Sequence, residues 1–293
     1  MSATVQNGLI INADDFGLTP GVNRGIVSAF REGVLTSTTM MVNMRFFDEA
    51  VELARENSDL PVGVHLTLLW GRPVSDPVAV PSLVDDEGRF PRSLGTLGRR
   101  YLLGSLEPEH LKVEFRAQIR KFQQTGLRPT HLDTHKHVHC LPGVLRAMLS
   151  VAREFDIRRI RFPLEQELAI QPGDQPSAPR RSSWSATAKR QLIRVLCSRN
   201  RNVLDASGIR TTDHFVGIRY QDCLNSGVLG LILNNLGSGV TELMCHPGYN
   251  DEHLGEYAKV PPHREQELEG LKAPQVRELV EQRSIRLMHY GEL

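Results

Sequence analysis

The sequence predicts an α/β protein of the TIM-like (β/α) barrel class, complete or distorted, folded as a single domain over residues 1–293. Three observations lead to this fold class. Short β-type runs alternate with longer helical patterns along most of the chain, about eight strand runs are found, and 293 residues suffice for eight βα units. A hydrophobic content of 40% supplies enough apolar side chains for one large core.

The first seventy residues show the alternation most clearly. The apolar run 8–12 predicts a strand, and an amphipathic pattern over 21–34 predicts the helix that follows it. Two further strands are predicted at 37–43 and 61–68, with a helix at 46–57 between them. These five elements form a βαβαβ unit, which is typical of a parallel sheet.

A second series of elements follows. Apolar residues at helical spacing over 107–126 predict a helix that ends at Gly126, since glycine is a common residue at helix C-termini. The remaining strand candidates are 130–138, 158–163, 211–218, 240–248 and 284–290. Two segments without this pattern, about 69–105 and 164–186, are predicted as long loops, and the first is placed where a substrate-covering loop would lie.

Composition and charge argue against several functions. The 35 basic and 34 acidic residues give a net charge of +1, so there is no global attraction to nucleic acid. The four cysteines form no CxxC pair, and nucleotide-binding and serine-hydrolase motifs do not occur. No apolar run resembles a signal peptide or is long enough to span a bilayer, so we expect a cytoplasmic protein.

The segment 130–140, THLDTHKHVHC, concentrates histidines. In an extended strand its odd-numbered side chains share one face: His131, Asp133, His135, His137 and His139. They cannot all bind one ion, because the first and last would lie about 26 Å apart at about 3.3 Å per residue, whereas metal–ligand bonds are about 2 Å long. His135 and His137 fit the carboxyl end of the strand best, where barrel active sites form.

A helix is the alternative for this segment. It would align three histidines at four-residue spacing, as zinc-binding helices do: His131, His135 and His139. Pro129 and the β-branched residues of the segment favour the strand.

Three more candidates lie at predicted β-to-loop junctions. Asp14 and Asp15 follow the first strand, and a divalent cation would relieve the repulsion between adjacent carboxylates. The simpler alternative is an Asp-rich turn that caps the next helix. His65 interrupts an apolar strand and His246 follows another. Each alone is more often a core residue, but together they mark the catalytic edge of a parallel barrel.

Six ordered motifs carry a family resemblance over about residues 8–291: NADDFGLTPGVNRGI, STTMMVN, GVHLTL, PTHLDTHKHVH, CHPGY and HREQELEGL. They resemble the YdjC-like carbohydrate deacetylases, which include ChbG and the hopanoid-associated HpnK proteins. The resemblance implies a TIM-like barrel and metal-dependent removal of an N-acetyl group from an amino sugar, an oligosaccharide or a glycolipid.

By motif, the resemblance implies that Asp15, His65 and His135 bind the metal, that Asp14 is the general base, and that His246 is the general acid. We expect one divalent ion, with Zn²⁺ as the first choice and Mg²⁺ or Mn²⁺ as alternatives.

Five other side chains are expected to contact substrate or to orient the ligands: His131, Asp133, His137, His139 and Trp70.

The segment 80–94 and the GRRYLL that follows it resemble the hopanoid-associated members, and this apolar and basic stretch suits a glycolipid and an encounter with a membrane surface. The region 164–186 departs from the family pattern, so the substrate stays open between a soluble sugar and a glycolipid. Two other functions stay open, a metal-dependent phosphoesterase and an inactive sugar-binding protein. The sequence also leaves open whether the chain is a monomer or a homodimer.

Overall fold

Seven parallel strands form one sheet in the computed structural model, which describes residues 7–168, 184–221, 223–257 and 263–293. The strands are β1 (Gly8–Phe16), β2 (Ser37–Met40), β3 (Val62–Leu66), β4 (Leu132–Thr134), β5 (His214–Val216), β6 (Val240–Cys245) and β7 (Arg286–Met288). Their spatial order is β4-β3-β2-β1-β6-β5, and β7 pairs with the start of β1. This parallel sheet confirms the α/β class and corresponds to part of a barrel.

The helices connect successive strands, as expected for βα units. They are α1 (Pro20–Glu32), α2 (Phe47–Glu56), α3 (Leu94–Leu102), α4 (Pro108–Gln124), α5 (Pro142–Glu154), α6 (Trp184–Asp205), α7 (Ser226–Asn234), α8 (His263–Lys272) and α9 (Pro274–Gln282). Short 3₁₀ turns lie at Pro77–Ala79, His135–Cys140, Leu254–Glu256 and Tyr290–Glu292. No helix within these described ranges is long and apolar enough to cross a bilayer.

The strand predicted at 158–163 is the main departure from a regular barrel. This region makes isolated parallel bridges, with Ile160 beside Leu132 of β4 and Glu165 beside Phe215 of β5. The segment therefore lies between the two edge strands, β4 and β5, and makes only isolated backbone bridges to them. The sequence pattern predicted its path correctly but not its lack of regular pairing.

The segment 69–105 contains a 3₁₀ turn and α3, so it is more ordered than the predicted loop. Glu114 of α4 anchors its beginning: the buried carboxylate accepts hydrogen bonds from the backbone N–H of Val74 at 2.9 Å and of Ser75 at 3.0 Å. In the other predicted loop, 164–186, residues 169–183 lie outside the described residues.

Two local predictions need correction. Asp14 and Asp15 belong to β1 itself rather than to a turn after it, and the helix that follows is capped by Thr19, whose hydroxyl accepts from the Val22 N–H. The alternative of an Asp-rich capping turn is therefore wrong. The strand predicted at 130–138 ends at Thr134, because the next residues turn into a 3₁₀ segment.

Candidate active site

Three side chains from separate strands meet at the carboxyl edge of the sheet: Asp15 from β1, His65 from β3 and His135 just after β4. The Nδ1 atom of His135 lies 3.1 Å from Oδ1 of Asp15 and 3.4 Å from Nε2 of His65. His65 Nε2 lies 3.6 Å from the same Asp15 oxygen. All three side chains are buried.

Unusual backbone geometry aims two of these groups. Asp15 has φ of 73°, and the register between β1 and β2 shifts between Ala13 and Phe16. After His135, Lys136 and His137 both adopt left-handed conformations, with φ of 55° and 57°. Non-glycine residues rarely adopt this conformation, and such strain is concentrated at functional sites.

The three donor atoms fit a divalent metal ion. Atoms separated by 3.1–3.6 Å surround a point about 2 Å from each, which is the usual length of a metal–nitrogen or metal–oxygen bond. The chemistry of the set also fits, because two imidazoles and one carboxylate suit Zn²⁺ and related divalent ions.

His65 is held in the tautomer that a metal ligand requires. Its Nδ1 lies 2.6 Å from Oδ1 of Asp133, and the strand register places these two residues directly opposite each other. A proton on Nδ1 therefore donates to Asp133, and Nε2, which has to lose its proton when a cation binds, is the nitrogen that faces Asp15 and His135. Burial alone would lower the pKa of His65, but the charge and hydrogen bond of Asp133 and the charges of Asp14 and Asp15 raise it to about 9.

A fully buried arginine organises the carboxylates beneath this triad. Arg161 donates to both oxygens of Asp14, at 2.6 and 2.7 Å, to Asp133 at 2.7 Å and to Glu242 at 2.8 Å. A buried guanidinium needs this many partners because its desolvation is costly. Burial raises the pKa of Asp14, but Arg161 and His65 outweigh it and hold the carboxyl well below its usual value.

A second arginine fixes Asp15. Arg264 of α8 donates from Nη2 to Asp15 Oδ2 at 2.5 Å, while the other oxygen faces His65 and His135. Burial opposes ionisation of Asp15, but Arg264 and His135 lower its pKa well below the ordinary range. The carboxylate is therefore ionised and oriented with one oxygen available to a cation.

His246 follows β6 and lines the same cavity as the triad. Its backbone N–H donates to Glu267 of α8 at 2.5 Å. Burial lowers the pKa of the imidazole to about 4, although Asp14 and Asp15 oppose this change. The ring is therefore neutral in the free protein at pH 7.

A cavity of about 410 Å³ lies over these groups, within the range of about 300–1,000 Å³ typical for small-molecule sites. Its lining includes Asp14, Asp15, Trp70, His135, His137 and His246. The Nδ1 atom of His137 is buried and has no hydrogen-bond partner among the described residues.

Two histidines of the same segment lie elsewhere. His131 stacks on Tyr290, with ring centroids 3.7 Å apart and planes at 10°. The Nδ1 atom of His139 lies 2.6 Å from the Thr134 hydroxyl. Neither belongs to the triad or to the described lining of the cavity. The predicted common face for all five odd-numbered residues is wrong, because the backbone leaves the extended conformation after Thr134.

Sequence reasoning missed Arg161 and Arg264. In the sequence Arg161 lies within the strand candidate 158–163, and Arg264 lies within the motif HREQELEGL. The available signal was the charge of Arg161. An arginine between Ile160 and Phe162 in a predicted buried strand requires buried carboxylates as partners.

Comparison with known proteins agrees with the motifs. The sequence pattern of the YdjC-like protein family matches residues 8–282. The chain belongs to this family. The resemblance predicted from the six motifs is thereby confirmed.

Relatives in the YdjC-like family match over nearly their whole length. A carbohydrate deacetylase of Brevibacillus brevis is 36% identical, with 97% of this chain and 99% of the relative covered. A chitooligosaccharide deacetylase of Yersinia enterocolitica is 33% identical, with 97% and 98% covered. A crystal structure from Enterococcus faecalis, provisionally assigned as a cellobiose-phosphate cleavage protein, is 30% identical with a TM-score of 0.76 and covers 98% of both chains.

Proposed function

We propose that this protein is a divalent-metal-dependent deacetylase that removes the acetyl group from an N-acetylated amino sugar. The meeting of Asp15, His65 and His135, with their donor atoms 3.1–3.6 Å apart beside Asp14 and His246, is the observation that carries the proposal. The carbohydrate deacetylases among its relatives support the substrate class.

Asp15, His65 and His135 would hold the ion, and these ligands suit Zn²⁺ first, with Mn²⁺ and Mg²⁺ as alternatives. A bound divalent ion would make water more acidic and would stabilise negative charge on the acetyl oxygen. Asp133 orients His65, and Arg264 orients Asp15. His137 and Trp70 line the cavity where the sugar would bind.

Asp14 and His246 move protons in this proposal. Arg161 keeps Asp14 ionised, and in this proposal the carboxylate accepts a proton from the attacking water, although the same ion pair lowers its basicity. His246 donates a proton to the leaving nitrogen, since an amide nitrogen leaves poorly without one. Because burial keeps His246 neutral in the free protein, it has to gain this proton during the reaction, and the proton that Asp14 takes from the attacking water balances the one delivered to nitrogen.

The geometry favours this reaction over phosphate-ester hydrolysis by two metal ions. A second group of metal-type ligands exists, formed by Asp14, His65 and Asp133. Nη1 of Arg161 lies 2.6 Å from Asp14 and 2.7 Å from Asp133, so a guanidinium already provides the positive charge there. A second ion would have to displace it, whereas the deacetylase proposal needs only one ion.

One observation favours a glycolipid as the second candidate substrate. Leu102 and Leu103 at the end of α3 are 84% and 68% exposed, and Arg99 and Arg100 occupy the last turn of the same helix. Exposed apolar side chains beside basic ones suit the surface of an anionic membrane. A hopanoid-type glycolipid would be deacetylated at this surface.

Acetate release tests both candidates. The metal-stripped protein is assayed with N-acetylglucosamine, its oligomers and an N-acetylglucosaminyl lipid, without metal and with Zn²⁺, Mn²⁺ or Mg²⁺. We expect metal-dependent release from at least one sugar, and release from the lipid would support the glycolipid candidate. Absence of acetate from every substrate, with metal bound at the triad, would contradict the proposed function.

A further inference from the structure

The two imidazoles proposed as metal ligands have different supports. Nδ1 of His65 lies 2.6 Å from Oδ1 of Asp133, and this hydrogen bond fixes the rotation of the ring. In His135 the nitrogen that faces Asp15 is Nδ1, at 3.1 Å. Its other nitrogen, Nε2, is buried and has no hydrogen-bond partner in the part of the chain that the structure describes. The rotation of the His135 ring therefore needs a support of another kind.

Trp70 provides that support by packing on the imidazole. Metal-binding histidines usually keep their second ring nitrogen in a hydrogen bond, because this bond holds the ring with its donor atom toward the ion. The ring centroids of Trp70 and His135 are 4.4 Å apart, with planes at 49°. This separation is close to the short limit of about 4.5 Å for aromatic pairs, so the indole restricts the rotation of the imidazole.

Trp70 is itself held firmly. Its φ is 65°, a rare conformation for a tryptophan. The backbone N–H donates to the Pro91 carbonyl at 3.2 Å, and the indole N–H donates to the Arg92 carbonyl at 3.0 Å. Asn43 donates to the Trp70 carbonyl at 3.1 Å. Strain maintained by such bonds is typical of functional positions, and a side chain fixed at its backbone and at its ring forms a rigid wall for His135.

Lys136 adds a contact from the segment that carries the ligand. Its Nζ lies 4.1 Å from the centroid of the Trp70 ring, a distance at which a cation is attracted to the ring face. Lys136 directly follows His135 and has a left-handed φ of 55°. The attraction therefore draws together the segment that carries His135 and the segment that carries Trp70.

We infer that Trp70 is a positioning residue for the metal ligand His135. The indole holds the imidazole with Nδ1 toward Asp15 and His65, as Asp133 holds His65 through a hydrogen bond. The segment 69–105 then contributes to metal binding as well as to the wall of the cavity. The inference rests on the metal site of the proposed function and adds a residue outside the triad that sets the metal affinity.

Zinc affinity tests the inference without any substrate. Calorimetric titration of the metal-stripped protein compares the wild type with Trp70→Ala, Trp70→Leu and Trp70→Phe, and thermal unfolding shows that each variant is folded at the titration temperature. Tyr101→Ala is the matched control. Tyr101 belongs to α3 of the same segment, its ring lies 3.8 Å from the position of a Cβ at Gly143, and it is not among the described residues that line the cavity.

We expect Trp70→Ala to weaken zinc binding by about 10–100-fold, the range typical for loss of an outer partner of a metal-bound histidine. Trp70→Phe keeps an aromatic ring against His135, so it should bind zinc within about threefold of the wild type, as should Tyr101→Ala. Trp70→Leu fills part of the space without a planar face and should lie between these values. It replaces Trp70→Ala if that variant does not fold.

The emission of Trp70 gives an independent signature. In a Trp184→Phe background, Trp70 is the single tryptophan of the chain. Zinc should change its emission and saturate at one ion per chain, because the imidazole 4.4 Å from the indole becomes a metal ligand. Addition of His135→Ala should abolish the change.

A Trp70→Ala or Trp70→Leu protein that binds zinc as tightly as the wild type would overturn the inference, and so would a loss of affinity that Trp70→Phe shares in full. Failure of the wild type to bind zinc would overturn the metal site and the inference together. Zinc binding with the expected dependence on Trp70, but without acetate release from any substrate, would leave the inference standing and overturn the proposed deacetylase function.

Discussion

His131 and His135 lie four residues apart in the same segment, and their imidazoles have different surroundings. His131 is fully buried against Tyr290, and Gly63 of the neighbouring strand leaves room for its ring, since a Cβ there would lie 2.6 Å from the imidazole. His135 faces Asp15 and His65 at 3.1 and 3.4 Å. The first imidazole fills the core beneath the site, and the second belongs to the site.

The backbone explains this difference. His131 directly precedes β4, where the chain runs into the sheet, whereas His135 is the first residue after β4, at the edge where the loops begin. In parallel α/β folds the functional groups gather at that edge. Position relative to the end of β4 therefore gives His131 and His135 different roles, although their side chains are identical. Substitutions can test this difference.

Replacement of His135 should have the largest effect on activity. In His135→Ala one of three ligands is lost, so zinc binding should weaken severely and acetate release should fall by at least about 10³-fold. Metal content after dialysis and kcat/KM measure the two effects. His139→Ala, from the same segment but outside the triad, should keep its metal. Loss of metal from both variants would contradict the assignment of His135 alone as the ligand of this segment.

Removal of the proposed base should separate chemistry from metal binding. Asp14→Asn should reduce kcat by about 10²–10⁴-fold with nearly unchanged zinc affinity, because Asp14 is adjacent to a ligand but is not one. Calorimetric zinc titration and acetate release provide the readouts. The substitution also weakens a buried ion pair with Arg161, so thermal unfolding is measured in parallel. An active Asp14→Asn protein would contradict the assigned role.

Disruption of the support of His65 should have an intermediate effect. Asp133→Asn should lower zinc affinity or activity by about 10–100-fold, because His65 would lose the acceptor that fixes its tautomer. Glu242→Gln is the matched control, since Glu242 also contacts Arg161 and no bond to His65 is seen in the described residues. If both variants lose zinc equally, the effect comes from the arginine network instead.

Replacement of His131 should have the smallest effect on activity and a clear effect on stability. His131→Ala removes a fully buried ring stacked on Tyr290, so the free energy of unfolding should decrease by about 3 kcal/mol. Zinc affinity and kcat should remain within about twofold of the wild type at a temperature where the variant is folded. Denaturant unfolding with and without zinc measures both quantities, and a selective loss of zinc affinity would place His131 in the site.

Much of the fold was predictable because its signals are local. Helices α1 and α4 were predicted to within about two residues, since their apolar spacing and terminal residues are visible in a short window. The lack of regular strand pairing at 158–163 was not predictable, because pairing depends on neighbours distant in sequence.

The residues of the site also divide into those that the sequence motifs predicted and those that they did not. Asp15, His65 and His135 were predicted through family motifs, and the structure brings them together. The contacts of Arg161 with Asp14 and of Arg264 with Asp15 join residues 147 and 249 positions apart, and no local pattern indicates them. The left-handed turn at Lys136 was equally hidden, because lysine has no preference for that conformation.

The central claim is that one divalent ion binds to Asp15, His65 and His135. Anomalous diffraction at the zinc edge from crystals of the zinc-loaded protein tests it most directly. We expect a single peak about 2 Å from Asp15 Oδ1, His65 Nε2 and His135 Nδ1. A peak bound instead by His137 or His139, or one that displaces Arg161 from between Asp14 and Asp133, would contradict it.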